Sequence, residues 1–199
     1  MSTTISLISI PNEAHELLSK AKERGKSDEY SSVFFSIKSA LEGKLNTYGH
    51  KDWIEFKSDV ENLQTHYPNK MFEEKYIYDT NSRYEILEYL IMKYEGQILE
   101  PNKRIELIIF KGEQECECQG RNFEYWDNAQ LKNKLEYVNS IDSEKLFNEY
   151  IPTEMKTKGI YQMERGQNEI DLIRKLYLNL KTFLNESNKL NGYTLILNS

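Results

Sequence analysis

The chain has 199 residues, 39% of them apolar and 12% aromatic, with a net charge of -6. That composition excludes a disordered chain, and the length suits one domain that buries roughly two-thirds of its unfolded surface. With 26 basic against 32 acidic residues and no basic cluster interleaved with aromatics, the charge repels phosphate backbones and sets nucleic acid aside as a partner.

Apolar residues alternate in Ile5–Ile10, which reads as a strand, and the absence of a basic segment before it argues against a signal peptide. Pro11-Asn12 opens a helix with the stripe Ala14, Leu17, Leu18 and Ala21, ending near Gly25. A second helical stretch uses Val33, Phe34, Ile37 and Leu41, and a third uses Trp53, Phe56, Val60 and Leu63. Residues 26–78 read as a helical excursion from the core. Ser82-Arg-Tyr-Glu85 has the form of a capping box, opening a helix whose inward face is Leu87, Leu90, Ile91 and Tyr94 and whose end is Gly96.

Beyond Pro101 the period changes. Ile105–Phe110 reads as a strand that turns at Lys111-Gly112 and continues through Glu115–Cys118. Asp127 is expected to cap another helix through Gln130, with Trp126 and Leu131 spaced for a hydrophobic staple. Short helical pieces follow near 143–150 and 153–158. From Glu169 to Lys189, Ile170, Ile173, Tyr177, Leu180 and Leu184 mark the clearest amphipathic helix, with Asn168 expected as its N-cap. Asn191-Gly192 breaks it, and Tyr193–Asn198 is a final β-prone run too apolar to hang in water. Strands near both ends and the middle, with helices grouped between them, predict a single α+β domain over 1–199. Its small mixed or antiparallel sheet should include the N- and C-terminal strands and be packed by several amphipathic helices.

Tyr84-Glu-Ile-Leu-Glu-Tyr-Leu-Ile91 is similar to the Trp-x-x-Leu-His-x-Leu-Leu helix of the small bacterial YfbM-like proteins, a family named only as a domain of unknown function. The capped helix after Tyr125-Trp126, the acidic 142–150 stretch, Pro152-Thr-Glu-Met155, Gly159-Ile160-Tyr161 and the final helix and strand follow in that family's order. The resemblance covers roughly residues 79–199 and implies an α+β fold without an activity. Tyr84 and Glu88 stand where the family has Trp and His, and Gln162 stands where a Pro often follows, so no role of that His carries over.

No nucleophile elbow, phosphate loop or metal-ligand spacing is present, so no catalytic, cofactor-binding or metal-binding residues are assigned and no cofactor is expected. Cys116 and Cys118 lie too close for an ordinary bridge and read as two small side chains on one strand face, which favours a cytoplasmic protein. No stretch approaches the roughly 18 apolar residues of a membrane span. Glu88 borders the apolar stripe and reads as a solvated edge, because Glu is rarely buried unpaired. Together with Tyr84, Trp126 and Tyr161 it is nonetheless a candidate for lining a pocket. The acidic run Glu113–Glu117 and the net charge favour a non-enzymatic binding module with a basic protein partner, such as an immunity or regulatory protein. The alternative is a small enzyme with a carboxylate and tyrosine cleft around Glu88 and Tyr161.

Overall fold

The apolar runs near the two ends of the chain satisfy each other. In a computed structural model, β1 (Ile5–Ile10) and β5 (Tyr193–Asn198) pair antiparallel along their whole length, with Ile5 opposite Asn198 and Ile10 opposite Tyr193. The structure describes residues 4–16, 58, 61, 62, 65, 76–100, 105–112, 114–118 and 121–198, and for 114–118, 121–123, 197 and 198 the backbone alone. The second and third helical stretches and the 26–78 excursion lie almost wholly outside the described residues.

Three further strands complete the sheet. β2 (Ile77–Asp79) lies on the outer side of β1, β4 (Arg121–Trp126) pairs with β5, and β3 (Gln114–Cys118) pairs with β4. The order is β2-β1-β5-β4-β3, with every pairing antiparallel, and the fold is α+β as expected. Ile5, Leu7 and Ser9 share one face of β1. Ile5 and Leu7 enter the main core, and the Ser9 hydroxyl pairs with that of Ser187 on the last helix. Ile8 and Ile10 on the opposite face are buried too, so these central strands are covered on both sides.

Six helices are described after β2: α1 (Tyr84–Tyr94), α2 (Asn128–Ser140), α3 (Ser143–Asn148), α4 (Pro152–Thr157), α5 (Tyr161–Glu164) and α6 (Ile170–Leu190). α6 buries the anticipated stripe from Ile173 to Leu184, leaving Ile170 half-buried, and Tyr177 donates from its hydroxyl to the Val138 carbonyl of α2 at 2.9 Å. Asn168 is not its cap. The helix starts after Glu169, whose carboxylate accepts both the Nε and Nη2 of Arg83. An ion pair to the start of α1 thus takes the place of a local cap. At the other end Asn191 adopts φ +53°, and Gly192 passes so close to β1 that a Cβ there would meet the Ile10 carbonyl oxygen at 2.0 Å.

At α2 the capping box forms in both directions: Gln130 N–H donates to Asp127 at 2.8 Å, and Asp127 N–H donates to the Gln130 side chain at 3.0 Å. Trp126 and Leu131, the predicted staple pair, are both buried. At α1 the predicted box does not form. Ser82 sits at φ +61° with its hydroxyl paired to that of Thr4 at 2.9 Å. Glu85 instead accepts the Tyr161 N–H at 3.0 Å, so both capping groups are spent on distant segments. Gly96, at φ +72°, closes α1 as expected, with Gly96 N–H donating to Lys93 and Gln97 N–H to Met92. No helix among the described residues is long and apolar enough to cross a membrane.

Candidate functional site

α1 is the helix on which the chemistry of this chain concentrates. Ile86 through Met92 are all buried, which leaves the helix no solvated edge in its centre. Glu88 is therefore fully enclosed, contrary to the expectation of a solvated position. Its Oε1 accepts the N–H groups of Ile109 at 2.9 Å and Phe110 at 2.8 Å, and its Oε2 accepts that of Ile108 at 2.9 Å. Successive N–H groups converging on one point form an anion-binding concavity, and here the anion is a side chain of the same protein.

This clamp explains the failure of the predicted strand at Ile105–Phe110. Residues 105–107 are irregular and 108–110 form a bend, because the N–H groups that a sheet ladder would use turn toward Glu88. Side chains hold the same segment elsewhere. Lys134 donates to the Ile108 carbonyl, Trp126 Nε1 to the Lys111 carbonyl at 2.9 Å, and Glu124 accepts from Gly112 N–H. Burial pushes the Glu88 carboxyl up to about 7, while the three N–H groups and the Lys134 charge act in the opposite direction. Beside it, Tyr78 packs against the Phe110 ring at 6.0 Å with its hydroxyl buried and, among the described residues, without a hydrogen-bond partner. Burial first, and then the Glu88 charge, hold that phenol well above its ordinary value.

The other sequence candidates lie apart from this clamp or serve it. Trp126 is buried, joined to the segment through Lys111 and lying under Lys134 at 5.8 Å. Tyr84 is half-buried at the first turn of α1, its hydroxyl 3.4 Å from Glu85. Tyr161, at the start of α5, is tied by its N–H to that same Glu85 and carries Arg165 over its ring at 4.6 Å. Glu88 and Trp126 thus meet at the clamp, and Tyr84 and Tyr161 meet around Glu85.

An open cleft of about 550 Å³, passed over in the sequence, lies at the C-terminal end of α1 against α3. Tyr94, Glu95, Lys145, Asn148 and Glu149 line it. Its carboxylates are held by neighbours: Tyr137 donates its hydroxyl to Glu95 at 2.9 Å, and Lys93 bridges Glu149 at 3.2 Å and Glu154 at 2.8 Å. Tyr89 also donates to Glu154, at 2.6 Å. The hydrogen bond from Lys93 holds the Glu154 carboxyl below its ordinary value, and burial, then Glu95, pushes the Tyr137 phenol up. No sequence signal marked it: Tyr94 reads as part of the inward face of α1, and Lys93 and Glu95 read as ordinary helix surface. His15 forms a further unanticipated contact, stacked on Tyr193 at 3.4 Å with Tyr125 edge-on at 5.1 Å.

Cys116 and Cys118 lie on β3, and their side chains fall outside the described residues. No group of three His, Cys, Asp or Glu among the described residues is placed to hold a metal ion. A five-stranded antiparallel sheet with helices and a carboxylate enclosed by backbone defines an α+β protein whose polar chemistry lies along one helix. The chain belongs to the family described as a domain of unknown function, DUF1877, matched over residues 1–197. That span takes in residues 1–78 as well as the 79–199 region on which the resemblance mainly rested. No curated protein and no solved structure gives a significant match.

Proposed function

We propose that this chain is a non-enzymatic, cytoplasmic binding module, and that its cleft at the end of α1 receives a basic side chain from a protein partner. The observation that carries this reading is the lining itself: Glu95 and Glu149 flank Tyr94, with Lys145 the single basic residue of the set. A lysine or arginine entering there meets two carboxylates and an aromatic ring, the combination that recognises a cation. The overall charge of -6 steers a basic surface toward it and makes the encounter sensitive to salt. An immunity or regulatory protein would bind in this way.

The test is capture from native lysate with the full chain as bait, followed by titration of the purified pair. A basic protein should be retained, released at high salt, and lost when Glu95 and Glu149 are both changed to lysine. Retention that survives the double charge reversal would refute the cleft as the binding surface. The enzyme alternative around Glu88 and Tyr161 rests on the enclosed carboxylate, and it gains the case if a broad hydrolase and transferase screen finds turnover that Glu88→Gln abolishes.

A further inference from the structure

A buried carboxylate that spends its lone pairs on backbone N–H groups fixes the conformation of those groups only while it stays an acceptor. Glu88 distributes them unequally: Oε1 takes two N–H groups, from Ile109 and Phe110, and Oε2 takes one, from Ile108. Burial is unequal as well. Ile109 and Phe110 are fully enclosed, whereas Ile108 is half-exposed, so only the Ile108 N–H can exchange the carboxylate for water at low cost. The groups that face Glu88 come from three directions. Lys134 and Tyr137 lie on α2, Tyr78 lies on β2, and the 105–112 segment contributes its three N–H groups. Of these, the Tyr78 hydroxyl is the one buried polar atom without a partner among the described residues.

We infer that Glu88 is a proton-operated latch on segment 105–112: ionised, it holds three N–H groups, and protonated on Oε2, it can no longer accept from Ile108 and releases that peptide. The proton comes from solvent and no covalent bond changes. Oε2 is the oxygen that takes it because it carries fewer donors. The released N–H turns to water while Lys134 still holds the Ile108 carbonyl, so the segment loosens at one peptide and not as a whole. Ile109 and Phe110 remain on Oε1 in both states. This device is independent of the cleft reading and stands or falls without it.

Nuclear magnetic resonance on the full chain tests it. The Glu88 carboxyl carbon and the amides of 108–110 are followed from acid through neutral to mildly alkaline pH. Amide exchange is measured against intrinsic rates at each pH. Glu88 should titrate near neutrality, and the Ile108 amide should lose protection by about tenfold in the acid form while Ile109 and Phe110 keep theirs. Glu88→Gln, which cannot ionise, should show an Ile108 protection that does not change with pH. A Glu88 titration that coincides with exposed carboxylates overturns the latch, as does equal behaviour of all three amides. An Ile108 protection that still changes with pH in Glu88→Gln overturns Glu88 as the group that operates the latch. If that variant does not fold, the wild-type titration alone still decides for or against the latch.

Discussion

Glu88 and Glu95 stand two turns apart on α1, on nearly the same side of one helix, and they live in opposite worlds. Glu88 is enclosed by core side chains and closed around by three backbone N–H groups. Glu95 lies exposed at the helix end on an open cleft, with the Tyr137 hydroxyl as its side-chain partner among the described residues. The same functional group is therefore scaffold at one position and surface chemistry at the other. Desolvation decides which, since an enclosed carboxylate must be answered by donors and an exposed one is answered by solvent.

The comparison breaks most completely if its shared frame is removed. Deleting 192–199 takes away β5, the strand between β1 and β4, and the chain should lose its cooperative thermal transition and native circular dichroism. A truncated chain with an unchanged melting temperature would refute the sheet's dependence on β5. Next in size, Glu88→Ala leaves three N–H groups without an acceptor and opens a void, which should cost about 3–5 kcal/mol and lower Tm on the order of 10 °C. Glu95→Ala should leave the melting temperature where it is. Equal effects of the two would erase the distinction between them.

A pH series sharpens the same contrast. Burial raises the folded-state pKa of Glu88 from 4.5 to about 7, so the folded chain holds that proton more tightly than the unfolded one. Its contribution is full below the unfolded value and is lost as pH rises through about 7, amounting to about 3 kcal/mol. Denaturant titrations should show stability falling over that window and the slope vanishing in Glu88→Gln. The smallest effect is expected at Asp127→Ala, which removes the capping box of α2 at a cost of about 1 kcal/mol without touching either carboxylate.

Local patterns of the sequence predicted the elements whose causes are local. The alternation in Ile5–Ile10, the β-prone run Tyr193–Asn198, the stripe of α6 and the Asp127 cap each depend on neighbours within a few residues, and each is present. The misreadings share a different cause. Ile105–Phe110 has a strand's composition, but a carboxylate some twenty residues upstream takes its N–H groups. Ser82 and Glu85 read as a capping box and are instead engaged by Thr4 and Tyr161, and Asn168 reads as the cap of a helix that starts after Glu169, which Arg83 holds. The cleft escaped for the same reason, because α1 and α3 come together only in the fold.

The pairing of β1 with β5 also has a consequence for how the protein is made. β1 leaves the ribosome first among the strands, and its neighbour β5 follows only after nearly all the intervening chain. At ordinary synthesis rates that interval is on the order of ten to forty seconds. Throughout it the apolar ladder edge of β1 waits for its mate, open to chaperones and to the same strand on neighbouring nascent chains. A circular permutant that makes β5 immediately before β1 would abolish the wait, and its yield of soluble protein would measure what the natural order costs the cell.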